Sequence, residues 1–141
     1  MAFELSRSDL VAAVFGAGTM GRGIAQVCAQ AGLTTLLFDS RDGAVKEAIA
    51  AIDKGLEGLV SKGRIAANEK QDIIGRLKPI RSLDDAKAAG IAIEAIVEDL
   101  GAKRELFRDL EKRLAPGAVL ATNTSSLSVT DIAAEIGRAH V

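Results

Sequence analysis

The stretch LVAAVFGAGTMGRGIAQVCAQAG, from Leu10 to Gly32, constrains this 141-residue chain more than any other. Leu10 to Phe15 is an apolar run of the length and branching that suits a strand buried on both faces of a parallel sheet. Gly16, Gly18 and Gly21 follow in the pattern G-x-G-x-x-G, and Ile24, Ala25, Val27, Cys28 and Ala31 then recur at helical spacing. Each glycine answers a different demand. Gly16 permits a tight turn out of the strand, Gly18 lets the backbone approach a pyrophosphate, and Gly21 lets the helix lie close to the sheet. The first turn of the helix adds unpaired N–H groups and a positive dipole end, so Gly16, Gly18, Thr19, Met20 and Gly21 form a phosphate cradle that needs no lysine.

A glycine pattern alone is a weak signal in a chain with 14 Gly, and its context gives it weight. A second apolar run, Leu33 to Phe38, ends at Asp39, 18 residues past Gly21, where a spacing of about 20 is expected. An acid there accepts hydrogen bonds from an adenosine ribose and repels a 2'-phosphate, which favours NAD over NADP. Arg41, two residues on, pulls the other way. The predicted fold is therefore α/β: a Rossmann-like, mostly parallel sheet with helices on both faces.

Further along, Ser40 can cap a helix carrying Val45, Ile49, Ile52, Leu56 and Leu59, which Gly63 ends. A second helix is expected from about Ala67 to Leu77. Two helices in one crossover predict an inserted hairpin projecting from the sheet. Lys78 to Leu83, with Pro79, reads as an edge strand, where a missing N–H is tolerated, and Asp84 to Ala89 as a short helix. Ile91 to Glu98 reads as the next strand. Glu94 interrupts that run, which is costly in a strand covered on both faces unless the acid is near an end or satisfied, and a partly exposed position is the plain reading. Lys103 to Leu114 is helical, with Leu106, Phe107, Leu110 and Leu114 on one face, and Pro116 and Gly117 stop it. Ala118 to Ala121 gives another short strand. It runs into Asn123, Thr124, Ser125 and Ser126, a polar cluster at a strand's carboxyl end, where ligands of such sheets bind. Ser128 and Asp131 match the start of a last helix through Ile136.

Composition narrows the class. With 18 basic and 19 acidic side chains the net charge is −1, which offers no field to draw nucleic acid or an anionic membrane. No apolar run approaches a membrane span, and MAFELSRSD is not a secretory signal. A single cysteine, Cys28, excludes an internal disulfide and fits a reducing compartment; it falls in the apolar pattern of the first helix and reads as packing. A cytoplasmic location is the expectation, and no metal-ligating cluster is seen.

Four stretches together resemble the N-terminal NAD-binding domain of the 3-hydroxyacyl-CoA dehydrogenases: GAGTMGRGIAQVCAQAG, the LLFD ending at Asp39, EAIVEDLGAKRELF from Glu94 to Phe107, and ATNTSSLSVTDIA from Ala121 to Ala133. The bacterial 3-hydroxybutyryl-CoA and 3-hydroxyadipyl-CoA types are nearest in pattern. The resemblance implies NAD as cofactor, an acyl-CoA substrate, and reversible oxidation of a 3-hydroxyacyl-CoA to the 3-ketoacyl-CoA. It implies that Asp39 binds the adenosine ribose, that Glu98 and Lys103 lie near the nicotinamide half, and that Ser125 hydrogen-bonds the reacting substrate oxygen with Asn123 beside it. It also implies coenzyme A contacts from the hairpin, where Lys54, Lys62 and Arg64 can meet phosphates. The resemblance further implies a homodimer at full length, with a helical C-terminal domain.

The same resemblance sets an expectation about extent. Residues 1–141 read as one Rossmann domain that stops before its last strands, ahead of the family's catalytic histidine, its glutamate partner and the C-terminal domain. His140 is the only histidine, yet no HFFNP motif surrounds it, and it is not assigned as the base. The chain alone is expected to bind cofactor without efficient turnover. A nucleotide-binding or sensor module without catalysis is the alternative, and a dehydrogenase of other 3-hydroxyacids is a third reading.

Overall fold

A computed structural model of the chain describes residues 10–96 and 99–122. Among the described residues, five strands form one sheet: β1 (Val11–Phe15), β2 (Thr34–Phe38), β3 (Leu77–Pro79), β4 (Ile91–Glu94) and β5 (Val119–Thr122). Their order is β3-β2-β1-β4-β5, with every neighbouring pair parallel. The chain thus builds outward from β1 in one direction, through β2 and β3, then returns to β1's other side for β4 and β5. That reversal puts a topological switch point between the carboxyl ends of β1 and β4, where open α/β sheets bind ligands.

Alternation along β1 feeds two cores. Ala13 and Phe15 face one side with Ala92 and Leu120, where α4 (Leu100–Arg113) contributes Phe107 and Leu110. Val14 faces the other, with Leu37 and Leu77 under α1 (Thr19–Gln30), α2 (Ala44–Ser61) and α3 (Ala67–Arg76). Large side chains such as Phe15, Leu37, Ile52 and Leu110 are fully buried, each worth roughly 1.5–3 kcal/mol relative to exposure.

Several expectations need correcting. In α1 the core is made by Gly21, Ala25 and Ala29, while Val27 is 65% exposed. Small residues on that face let the helix lie close to the sheet, so size outranks hydrophobicity here. Ser40 does not cap α2; the helix starts four residues later behind Gly43, whose φ of 81° turns the chain into it. The hairpin of α2 and α3 does not stand clear of the sheet, because Ala44, Ala48, Ile52, Leu56 and Ile73 join the core of Val14 and Leu37. Arg76 reinforces this by donating to the Ala29 carbonyl at the end of α1 (2.9 Å). Gly63, with φ 71°, does end α2's last turn as expected.

β3 is the edge strand that Pro79 requires, but it spans only Leu77–Pro79. The Asp84 to Ala89 segment is reduced to a 3-10 turn at Leu83–Ala86, capped by the Ser82 hydroxyl. β4 stops at Glu94, four residues earlier than the apolar run suggested. The expected last helix from Ser128 to Ile136, and His140, lie outside the described residues.

Candidate functional site

The glycine loop leaves β1 at the switch point. Gly16 takes a φ of 109°, and a side chain on it would strike the Ala95 carbonyl; a Cβ on Gly21 would overlap the carbonyl oxygen of Gly16. These two glycines close the turn onto the sheet. Gly18 differs: nothing lies within 4 Å of where its Cβ would stand. Gly18, Thr19 and Met20 are all exposed, and no side chain caps α1. The first helical bond is donated by Arg22 to the Gly18 carbonyl, so the amides before it have no partner inside the helix. An open backbone cradle whose amides have no partner inside the helix fits a pyrophosphate.

Asp39, at the end of β2, ties this loop down. Its Oδ2 accepts the Ala17 amide at 2.8 Å and its Oδ1 the Arg41 amide at 2.7 Å. A carboxylate offers about four lone-pair sites, so two remain for a ribose diol. The Arg41 guanidinium turns to Glu47, 3.4 Å away, with both side chains exposed.

A cavity of about 600 Å³ runs beside these groups. One wall is Gly16, Gly18, Asp39 and Arg41; another is Ala95 and Ile96, after β4; the third is Ala102, Glu105, Leu106 and Asp109 on α4. The last two walls escaped the sequence reading. Their signal was present in the apolar positions of α4, which appeared there only as core.

Beside the cavity lies a buried charge pair. Glu94 and Lys103 have no exposed surface, and Lys103 Nζ donates to Glu94 Oε2 at 2.5 Å. Glu94 Oε2 also accepts the Ile96 amide at 2.7 Å, and the Thr122 hydroxyl donates to Glu94 Oε1. The partly exposed reading of Glu94 is therefore wrong: the acid is buried, at the strand's end, and satisfied. Lys103 does not line the cavity and is not part of a surface ion pair.

Other expected residues fall elsewhere. Glu98, Asn123 and Ser125 lie outside the described residues. Lys54, on α2, and Lys62, just past its end, are exposed on the hairpin and do not line the cavity. Across that hairpin Lys70 bridges Glu57 (2.6 Å) and Asp53 (2.9 Å), which push its ammonium pKa up, the bond to Glu57 most. Cys28 is half-buried, and burial pushes its thiol pKa up. Among the described residues no three His, Cys, Asp or Glu side chains could hold a metal, and no helix is long and apolar enough to cross a membrane.

A parallel sheet whose switch point brings together an open glycine loop and a strand-end acid defines a dinucleotide-binding domain of the Rossmann type. The family model for the 3-hydroxyacyl-CoA dehydrogenase NAD binding domain matches residues 11–141, and the chain belongs to that family. Its cofactor is NAD.

The chain is 39% identical over 126 residues to a 3-hydroxybutyryl-CoA dehydrogenase of Clostridioides difficile, covering 89% of this chain and 45% of the relative. It is 42% identical over 124 residues to the 3-hydroxyadipyl-CoA dehydrogenase of Escherichia coli K12, covering 88% and 26%. The crystal structure of (S)-3-hydroxybutyryl-CoA dehydrogenase from Ralstonia eutropha superposes with a TM-score of 0.87 at 36% identity, over 92% of this chain and 46% of that one. The chain thus spans less than half the length of these relatives.

Proposed function

We propose that this domain is the cofactor-holding part of an oxidoreductase that interconverts 3-hydroxyacyl-CoA and 3-ketoacyl-CoA by hydride transfer. The observation that carries the reading is the meeting of the open Gly18 loop with Asp39 at the switch point, one a cradle for pyrophosphate and the other an acceptor for ribose. Bound NAD supplies the hydride acceptor of such a reaction.

The chain's own residues divide the remaining work. Gly16, Gly18, Thr19, Met20 and Gly21 hold the pyrophosphate through backbone amides. Asp39 accepts the ribose hydroxyls and disfavours a 2'-phosphate. Glu98 and Asn123 serve the nicotinamide half, with Lys103, buried against Glu94, acting on that half only through the groups it holds, and Ser125 orients the reacting oxygen of the substrate. Lys54 and Lys62 meet the phosphates of coenzyme A. No residue of these 141 is assigned the base that takes the hydroxyl proton, so the domain alone binds cofactor without efficient turnover. We place the enzyme in the cytoplasm, in keeping with its single cysteine, and as a homodimer at full length.

The test is to mix the 141-residue chain with NADH, with and without acetoacetyl-CoA. Saturable binding of NADH with no steady loss of its absorbance is expected. The assay is then repeated after joining the chain to the C-terminal part of the Clostridioides difficile relative. NADH consumption by the chimera supports a dehydrogenase; binding without consumption there favours a sensor module and overturns the enzyme reading.

A further inference from the structure

The buried Glu94–Lys103 pair demands an explanation, because a parallel strand covered on both faces gains nothing from a carboxylate. Lys103 sits on the same stripe of α4 as Phe107 and Leu110, all buried, so its ammonium enters the core from the helix side. Glu94 meets it from the end of β4. Apolar residues at both positions would pack this region with less risk. What the pair does instead is bind backbone. Glu94 Oε2 accepts the Ile96 amide at 2.7 Å, while Lys103 Nζ reaches the Ile96 carbonyl at 3.5 Å. The peptide groups on either side of Ile96 are thus held by opposite members of one ion pair.

That segment faces the cavity. Ala95 and Ile96 form one wall of the cavity beside Gly18 and Asp39, and the Ala95 amide donates to Phe15 at the root of the glycine loop (2.8 Å). The same carboxylate takes the Thr122 hydroxyl, at the end of β5 and one residue before Asn123. One buried acid therefore joins the carboxyl ends of β4 and β5 and the start of the crossover between them.

We infer that Glu94, locked by Lys103 and Thr122, is a positioning residue for the dinucleotide site, fixing the Ala95–Ile96 wall against which NAD binds and the strand end that leads to Asn123. The inference rests on the NAD-site reading above. It assigns the ion pair a geometric task distinct from stability, since an apolar pair of similar volume would fold the domain and leave the wall unclamped.

The test replaces the pair as a unit, Glu94→Met with Lys103→Met, in the 141-residue chain. Melting temperature, NADH affinity and amide hydrogen exchange are measured on the same samples. The expected result is a melting temperature within a few degrees of the original, NADH binding weakened about tenfold, and Ile96 exchange faster by about tenfold while Val14 is unchanged. Unchanged NADH affinity in a folded double variant overturns the inference. Should that variant fail to fold, Thr122→Val removes one partner of Glu94 and no charge; about threefold weaker NADH binding at unchanged melting supports the role, and unchanged binding overturns it. If the original chain does not bind NADH, the cofactor reading fails by itself, and Ile96 exchange still decides whether the pair clamps the wall.

Discussion

The Asp39 carboxylate accepts the Ala17 amide at 2.8 Å, so the acid that ends β2 holds the loop that leaves β1. Loop geometry and the cofactor discrimination proposed above therefore share one side chain. Asp39→Asn keeps an oxygen for one backbone amide and removes the charge. It is expected to weaken NADH binding by about tenfold, to narrow the preference over NADPH, and to cost about 1–3 kcal/mol of stability, because one of the two amides then faces the carboxamide NH2. Competitive titration of the two cofactors checks this; an unchanged preference would assign the discrimination elsewhere.

Gly18 and Gly21 make opposite predictions. A Cβ at Gly21 would overlap the Gly16 carbonyl oxygen, so Gly21→Ala is expected to destabilise the domain by several kcal/mol, on the order of an overpacked core site. At Gly18 the backbone is extended, with φ −73° and ψ −168°, and the space beside it is open. Gly18→Val should melt like the original yet bind NADH at least about tenfold more weakly, because the new side chain stands where phosphate must approach. Thermal denaturation and NADH titration on both variants separate the two.

Removing only one member of the buried pair is a different experiment from removing both. Glu94→Leu leaves the Lys103 ammonium in a site with no exposed surface, and a loss of about 3–5 kcal/mol is expected. Urea denaturation at neutral pH measures it, and a loss below about 1 kcal/mol would mean that Lys103 finds a second anion.

Lys70 links α3 to α2 through Glu57 and Asp53. These carboxylates raise its folded pKa above the ordinary 10.5. The folded state then holds the proton more tightly, so the stabilisation is complete below 10.5 and disappears as pH rises through the folded value. Lys70→Met should therefore melt below the original at neutral pH, with the gap closing in strong alkali and narrowing in high salt. A gap independent of both would place the effect in packing of the aliphatic chain.

Burial raises the Cys28 thiol, which lowers its thiolate fraction at neutral pH. Alkylation by iodoacetamide should run slower than for an unstructured cysteine peptide and recover on denaturation. Equal rates would contradict the packing role.

The parts of this fold that were legible in the sequence are those where local chemistry and global topology agree. Gly16, Gly18, Gly21 and Asp39 sit in one segment that spans strand, turn, helix and strand, so that unit could be read directly from their spacing. The boundaries of β4 and the start of α2 could not. β4 ends at Glu94, whose carboxylate meets Lys103 and Thr122, tertiary contacts that an apolar run conceals. Val27 misled because α1 packs through alanines, and closeness of approach is invisible to a hydropathy pattern. Glu94 was the anomaly the sequence displayed, an acid in a strand, whereas the place of Lys103 on the buried face of α4 emerged only in the structure. Considered as a pair, nine residues apart on consecutive elements, each explains the other.

The most direct measurement is a fluorescence titration of the 141-residue chain with NADH, run beside Gly18→Val. Saturable binding by the original, lost or weakened at least about tenfold in a variant of equal melting temperature, is the predicted result. No saturable binding, or equal binding by the two, would contradict the assignment of the Gly16 to Gly21 loop as the cradle for NAD.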